Sequence, residues 1–162
     1  MSQGNGFPGY GSYSSWQEID RPKPLFPNTE LARDGVPKSA IVTPGRPAYL
    51  AQAHKLADAI RRVGHVSLPI YLDTQLPPWQ PPDSNIILLG NLVDNCLVSP
   101  LYARHYVAAD AFYPGKGGFV LNTVYDPWGN GHNIVFVGGS DIEGVTESAE
   151  SLIASLEQKG GA

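Results

Sequence analysis

The stretch "NIVFVGGSDIEGVTESAESLIASLEQ", Asn133 to Gln158, decides the fold. It opens with β-branched and aromatic residues, which are typical of a strand. Two glycines follow, and then an apolar stripe recurs at helical spacing. Ser140 and Glu143 have the Ser-x-x-Glu spacing of a capping box, which predicts the start of a helix. The sequence therefore predicts a strand, a tight turn and a capped helix in that order.

Many proteins bind a phosphate with this same order of elements, so the spacing of the glycines matters. They stand at Gly138, Gly139 and Gly144, with no Lys after them. A dinucleotide fingerprint needs G-x-G-x-x-G and a phosphate-binding loop needs G-x-x-x-x-G-K-[ST], and neither fits. Asp141 also places a carboxylate at the positive end of the predicted helix, where it would repel a phosphate. We therefore expect a structural turn and no cofactor.

The bulk composition excludes several classes of protein. With 162 residues, 42% of them hydrophobic, the chain can build one core. A net charge of -4 without a long basic run speaks against nucleic acid and anionic membranes as partners. The single cysteine, Cys96, excludes an intrachain disulfide. The chain shows no signal peptide and no run of about 18 apolar residues, so we expect no membrane contact, and the compartment stays open.

Outward from the opening stretch, the sequence divides into a leader and one domain. Residues 1–38 are rich in Pro and Gly and sustain no period, so they are interpreted as a leader or docked tail. Residues 39–162 are interpreted as a single α/β domain, an α+β two-layer sandwich. Its mixed sheet of about five strands is expected to carry helices mainly on one face. The predicted strands lie near residues 39–43, 66–72, 85–90, 118–125 and 133–138, and the predicted helices near 47–63, 95–110 and 141–157.

Three local signals place the strands in the sheet. The run "NIILLGN", Asn85 to Asn91, is apolar on both faces and predicts a central strand. Pro69 cannot donate to a ladder and predicts an edge or a bulge. "FVLNTVYDP" and "NIVFVGG" flank the turn "WGNGH" and predict a hairpin.

The segment "LYARHYVAAD", 101–110, offers residue types that acid–base chemistry uses. On a helix, Tyr102 and Tyr106 would share a face, with His105 beside them. One hypothesis is a polysaccharide lyase or hydrolase that uses these three side chains. The other, which we favour, is that the tyrosines pack inward and His105 lies at the rim. The four histidines have no ligand-like spacing, so no metal site is predicted, and no catalytic residue is assigned.

Tryptophans in loops are the remaining candidates for binding. Trp79 and Trp128 lie in "PPWQPP" and "DPWGNGH", and aromatic platforms of this kind suit sugar rings. Three polar residues near Trp128 could add hydrogen bonds to a glycan: Asp126, Asn130 and His132. The same tryptophans could instead anchor another protein, and we favour that interpretation. In the leader, Trp16 and Phe26 are the candidate partner contacts.

With these elements placed, residues 39–156 resemble the small α/β domain that precedes the catalytic domain in β-hexosaminidases and α-glucuronidases. The resemblance rests on "SAIVTPGRPAYLAQAHKLADAI", "NIILLGN" and "GGFVLNTVYDP...NIVFVGGSDIEGVTESAESL". The fuller pattern "GNLVDN...LYARHYVAADAFYPGKGGFVLNTV" looks like versions attached to heparinase-like lyases and to secreted glycan-acting proteins. The resemblance implies an accessory domain that packs on a catalytic domain of a secreted parent protein. The catalytic carboxylates of such enzymes lie in the domain that follows.

The sequence thus predicts a non-catalytic accessory or interaction module. Its low charge, 16% of residues, and its 18 Gly and 15 Pro indicate a surface covered by other protein. The expected partner is a neighbouring domain or another copy of the chain. A carbohydrate-binding module that uses the loop tryptophans is the nearest alternative, followed by the enzyme hypothesis.

Overall fold

A computed structural model gives the structure of residues 28–76 and 83–160. The strands are β1 (Ala32–Arg33), β2 (Val36–Pro37), β3 (Ser39–Thr43), β4 (Ile70–Leu72), β5 (Asn85–Gly90), β6 (Phe119–Val124) and β7 (Ile134–Gly139). The helices are α1 (Pro47–Gly64), α2 (Val98–Ala103) and α3 (Ile142–Gly160), with one 3₁₀ turn at Asp73–Gln75.

The main sheet is mixed and has five strands in the order β4-β3-β5-β7-β6. Strand β3 pairs in parallel with β4 and β5, and β5 pairs in parallel with β7, whereas β6 pairs antiparallel with β7. The predicted central strand is β5, and the predicted hairpin is β6–β7, so both predictions are confirmed. The α/β fold class predicted from the sequence is also confirmed.

Alternate residues of the parallel strands face opposite sides of the sheet, and both sides are covered by other parts of the chain. On one face, Ile87 of β5 and Val137 of β7 pack against α1 and α3. On the other, Leu88 and Phe136 pack against α2 and the loops around it. The two long helices therefore share one face, and a short helix covers the other.

Two predicted elements are shorter than expected. The predicted strand 66–72 is strand only at Ile70–Leu72. Pro69 precedes it, and its carbonyl accepts a hydrogen bond from the Ile41 N–H at 2.9 Å. Since Pro69 has no N–H to donate, regular pairing begins after it, and the resulting strand lies at the sheet edge as predicted.

The predicted helix 95–110 is wrong in its extent. Helix α2 covers only Val98–Ala103, with Pro100 in its first turn, where a missing N–H does no harm. His105 follows with a φ of 59°, in the left-handed region, and ends the helical path.

The last eleven residues of the predicted leader are ordered against the domain. Strands β1 and β2 form a small hairpin whose turn holds Asp34 and Gly35 at positive φ. Next to it, the Ser39 hydroxyl donates to the Leu31 carbonyl at 3.0 Å. The division of the chain at residues 38 and 39 stays a prediction.

Candidate functional site

The carboxyl ends of the parallel strands are where open α/β sheets form their sites, so the side chains there come first. Asn91 directly follows β5. Its Nδ2 donates to the Gly139 carbonyl at the end of β7, at 3.0 Å. Its Oδ1 accepts the N–H groups of Val93 and Asp94, at 2.9 and 3.0 Å. One amide thus ties the ends of two strands together and fixes the turn between them.

Asp94 follows β5 at the sheet end where the strand order reverses between β3 and β5. Its carboxylate accepts a 2.5 Å hydrogen bond from the Tyr49 hydroxyl and pairs with Arg46 at 2.8 Å. Burial of the hydroxyl, followed by its bond to Asp94, raises the pKa of Tyr49 well above the usual tyrosine range. Only 10% of the Asp94 side chain is exposed. These contacts tie the loop after β5 to the start of α1.

The N-terminus of α3 is capped by Asp141. Its Oδ1 accepts the Gly144 N–H at 2.9 Å, and its Oδ2 accepts the Gly117 N–H from the facing loop at 2.9 Å. These two N–H groups hold the pKa of Asp141 below its usual range. The Ser140 hydroxyl instead accepts the Gly115 N–H at 3.0 Å.

The predicted capping box of Ser140 and Glu143 is therefore wrong. The cap is the next residue along the chain, because Ser140 is held by the loop at 115–117 rather than by its own helix. The backbone is also very close here: a side chain on Gly144 would meet the Gly118 carbonyl, and one on Gly139 would meet the Gly144 backbone. The glycines thus serve close packing of the turn, and a carboxylate occupies the N–H groups at the helix start.

A loop beside this turn carries the two most exposed aromatic residues of the described part of the chain. We call residues 110–119 the aromatic loop. Phe112 is 90% exposed, Tyr113 57% and Phe119 44%. Asp110 fixes the start of the loop, since it accepts the N–H groups of Phe112 and Tyr113 at 2.7 and 2.8 Å.

Asp110 also accepts the Tyr102 hydroxyl at 2.7 Å. This bond raises the pKa of Tyr102 and, with the two backbone N–H groups, lowers the pKa of Asp110. Tyr102 therefore positions the aromatic loop. Since α2 ends at Ala103, the prediction that Tyr102, His105 and Tyr106 share a helix face is wrong.

The predicted glycan-binding residues lie at the opposite end of the sheet, in the β6–β7 turn. Trp128 is half-buried and packs against the core under α2. Asp126 is buried and accepts the Gly131 N–H at 2.9 Å. Asn130 is exposed and accepts the His132 N–H at 3.2 Å, and the His132 ring contacts Asp83 at 2.8 Å. Asp126 and Asn130 thus have bonds within their own turn, and a binding role for these residues stays a prediction.

The other candidates are not placed by the structure. Trp16, Phe26 and Trp79 lie outside the described residues. Among the side chains that are described, no group of three or more His, Cys, Asp or Glu is arranged to hold a metal ion. Within 28–76 and 83–160, no helix is both long and apolar enough to cross a membrane.

Sequence reasoning missed the network around Asp94 and the aromatic loop. The Asp94 network is indicated by "GNLVDN", 90–95, where Asn and Asp follow a buried strand and favour a turn held by side-chain hydrogen bonds. The second had a signal in "AFYPG", 111–115, an aromatic pair next to a Pro-Gly turn. Neither pattern contains the long-range partners, so neither could show how firmly the two are held.

Comparison with protein families matches residues 47–156 to "S-layer like family, outer domain". A comparison with curated proteins finds no match. The family match overturns the resemblance to accessory domains of β-hexosaminidases, α-glucuronidases and heparinase-like lyases, because that resemblance rested on the order of elements and one turn motif. It agrees with a non-catalytic structural or interaction module and gives no support to an association with glycan-degrading enzymes. With more than half of its 162 residues matched, the chain belongs to the S-layer like family and contains its outer domain.

Proposed function

We propose that this chain is a structural module whose aromatic loop binds other protein, primarily other copies of the chain. The observation that carries the proposal is the exposure of Phe112 and Tyr113, 90% and 57%, on one loop. Neighbouring exposed aromatic side chains are typical of interfaces, where they supply much of the binding free energy. The family name supports a role in a surface layer, in which modules must contact one another.

The rigidity of the aromatic loop supports the same proposal. Asp110 holds its start, and Ser140 and Asp141 hold the N–H groups of Gly115 and Gly117. A loop that is already ordered loses little conformational entropy when it binds, so more of the contact free energy is left for association. Exposed aromatics on such a loop are better suited to a lasting contact than the same residues on an unrestrained segment.

The low charge of the chain fits this role as well. Only 16% of its residues are charged, and its net charge is -4. Charged residues are depleted from the cores of protein–protein interfaces, whereas nucleic-acid-binding surfaces carry clustered Lys and Arg. A partner surface made of protein, either another copy or a neighbouring domain, is therefore the best match.

Sedimentation velocity of the full chain over a wide concentration range tests the proposal. We expect reversible association of the wild type and a monomer for the double variant Phe112→Ser/Tyr113→Ser. The matched control is Tyr71→Ser, because Tyr71 is 38% exposed but lies on edge strand β4. A wild type that stays monomeric, or a double variant that associates as the wild type does, contradicts the proposal. A monomer that binds a defined glycan through Trp128 would favour the carbohydrate-binding alternative.

A further inference from the structure

Strand β6 lies at an edge of the main sheet and carries neither a charged residue nor a proline. Within residues 28–76 and 83–160, β7 is the only strand that pairs with it. Its six residues are "FVLNTV", whereas natural sheets commonly place Lys or Pro on an edge to prevent further pairing. The Ser148 hydroxyl donates to the Val120 carbonyl at 3.0 Å, so α3 holds the strand in place. The edge is therefore an ordered template for one more strand.

An exposed aromatic residue lies at each end of β6. Phe119 opens the strand and is 44% exposed, and Tyr125 directly follows the strand and is 47% exposed. Leu121 packs on the side of the sheet that α1 and α3 cover. Since side chains alternate along a strand, Phe119 and Thr123 face that same side. Tyr125 lines one groove together with Leu121 and Thr123, so it lies on this side too.

We propose that the partner of this edge is β6 of a second copy, antiparallel to the first, with Asn122 of both copies on a two-fold axis. In an antiparallel pair, two opposite residues point their backbone N–H and C=O groups either both toward the partner strand or both away from it. The axis must therefore pass through a residue and not between two residues. With Asn122 on the axis, Phe119 of each copy lies opposite Tyr125 of the other. An axis on any other residue of β6 would separate these two aromatic residues.

The groove beside β6 fits this arrangement. It has a volume of about 490 Å³, runs between β6 and the second half of α3, and is lined by Leu121, Tyr125, Leu152 and Leu156 among others. Opposite Cβ atoms of an antiparallel pair are about 4.5–5.5 Å apart, so Phe119 of the second copy lies beside Tyr125 at this groove. Each copy supplies both the ring and the groove, as a two-fold interface requires. The two strands bring no like charges together, because neither carries a charge.

The inference rests on the proposed function, because six strand residues are too few to hold two copies together alone. Stable complexes use about 20–30 residues from each partner. Contact through Phe112 and Tyr113 would bring copies together, and the pairing of β6 edges would then join neighbours that are already close. One two-fold contact closes a dimer, whereas two different two-fold contacts join copies into a continuous row.

Disulfide trapping between two single-cysteine variants tests the pairing. Phe119→Cys and Tyr125→Cys, each in a Cys96→Ser background, are mixed in equal amounts, oxidised briefly and analysed by mass spectrometry. Opposite Cα atoms about 4.5–5.5 Å apart suit a disulfide, whereas two cysteines at position 119 would be about 20 Å apart. We expect the mixed 119–125 dimer severalfold above the proportion that random collisions give. The control mixes Phe119→Cys with Tyr71→Cys, since Tyr71 is also exposed but lies on β4 at the other edge, and it should give random proportions.

Random proportions from the first mixture, or an excess of 119–119 or 125–125 dimers, would overturn the inference. So would a lack of disulfide dimers, as expected if another polypeptide covers the edge. A second measurement keeps both aromatic residues. Thr123→Lys places a charge on the edge and should reduce the wild-type assemblies to dimers in sedimentation velocity, and assemblies as large as those of the wild type would contradict the pairing. A wild type that stays monomeric contradicts the proposed function, whereas association without an excess of the mixed dimer contradicts the edge pairing alone.

Discussion

Replacing Asp141 by Ala removes one carboxylate from two backbone N–H groups at once. Loss of the helix cap at Gly144 costs about 0.5–2 kcal/mol. The bond from Gly117 goes to a charged acceptor, a class worth about 1.5–3 kcal/mol. Because Asp141 is partly exposed, water replaces some of this loss. We expect the free energy of unfolding to fall by about 2–3 kcal/mol, or roughly 5–10 °C in Tm for a chain of this size.

The same residue gives a pH dependence with a defined sign. The bonds from Gly117 and then Gly144 lower the folded-state pKa of Asp141 below the unfolded value of about 3.9. The stabilisation is therefore fully present above that unfolded pKa and is lost as the pH falls through the folded pKa. Asp141→Asn keeps one cap oxygen and does not titrate. The stability difference between wild type and Asp141→Asn should shrink as the pH falls below about 4.

Urea unfolding followed by far-ultraviolet circular dichroism measures both effects. Glu143→Ala is the matched control, since Glu143 is exposed in the same helical turn and should cost less than about 1 kcal/mol. The reasoning is refuted if Asp141→Ala unfolds within about 0.5 kcal/mol of wild type. It is also refuted if Glu143→Ala costs as much as Asp141→Ala, since the Ser140 and Glu143 box would then hold the helix.

Three further substitutions test the packing. Gly144→Ala would push its side chain into the Gly118 carbonyl and should lower the free energy of unfolding by about 1–3 kcal/mol. The control Gly64→Ala, at the end of α1, should leave stability unchanged or raise it. Equal Tm values for the two variants would contradict this expectation. Tyr49→Phe should cost about 1 kcal/mol near neutral pH. Since the folded-state pKa of Tyr49 is raised, this stabilisation is present below the usual tyrosine pKa and is lost as the pH rises through the folded-state pKa. In an ultraviolet absorbance titration, Tyr49 should therefore ionise at higher pH than the exposed tyrosines. Trp128→Ala should lower stability by about 2–3 kcal/mol in thermal unfolding, and an unchanged Tm would show that Trp128 does not stabilise the core.

The sequence predicts best those elements whose signal is local. The apolar run of β5 marks it as buried on both faces, and the turn "WGNGH" brings β6 and β7 together as a hairpin. Helix α1 follows its apolar stripe from Pro47, and its C-terminal cap is His65, with a φ of 53°. In each of these cases the residues that determine the element lie within it.

The sequence predicts an element poorly where a contact between residues far apart in the chain determines it. Ser140 and Glu143 match a capping box, yet Asp141 is the cap because the loop at 115–117 binds Ser140 and Asp141 from across the sheet end. Helical spacing in "LYARHYVAAD" continues past Ala103, but the chain turns back so that Tyr102 can reach Asp110. The candidate site depends on these long-range bonds, and no period in the sequence reports them.

Asn28 and Lys159 lie on the same side of the molecule, because both line one groove together with Leu121 of β6. The aromatic loop lies by Ser140, at the far end of β7, and six strand residues span about 20 Å. Two copies joined through their aromatic loops would therefore keep Asn28 and Lys159 of each copy away from the contact. A label attached at position 159 would then leave that contact accessible.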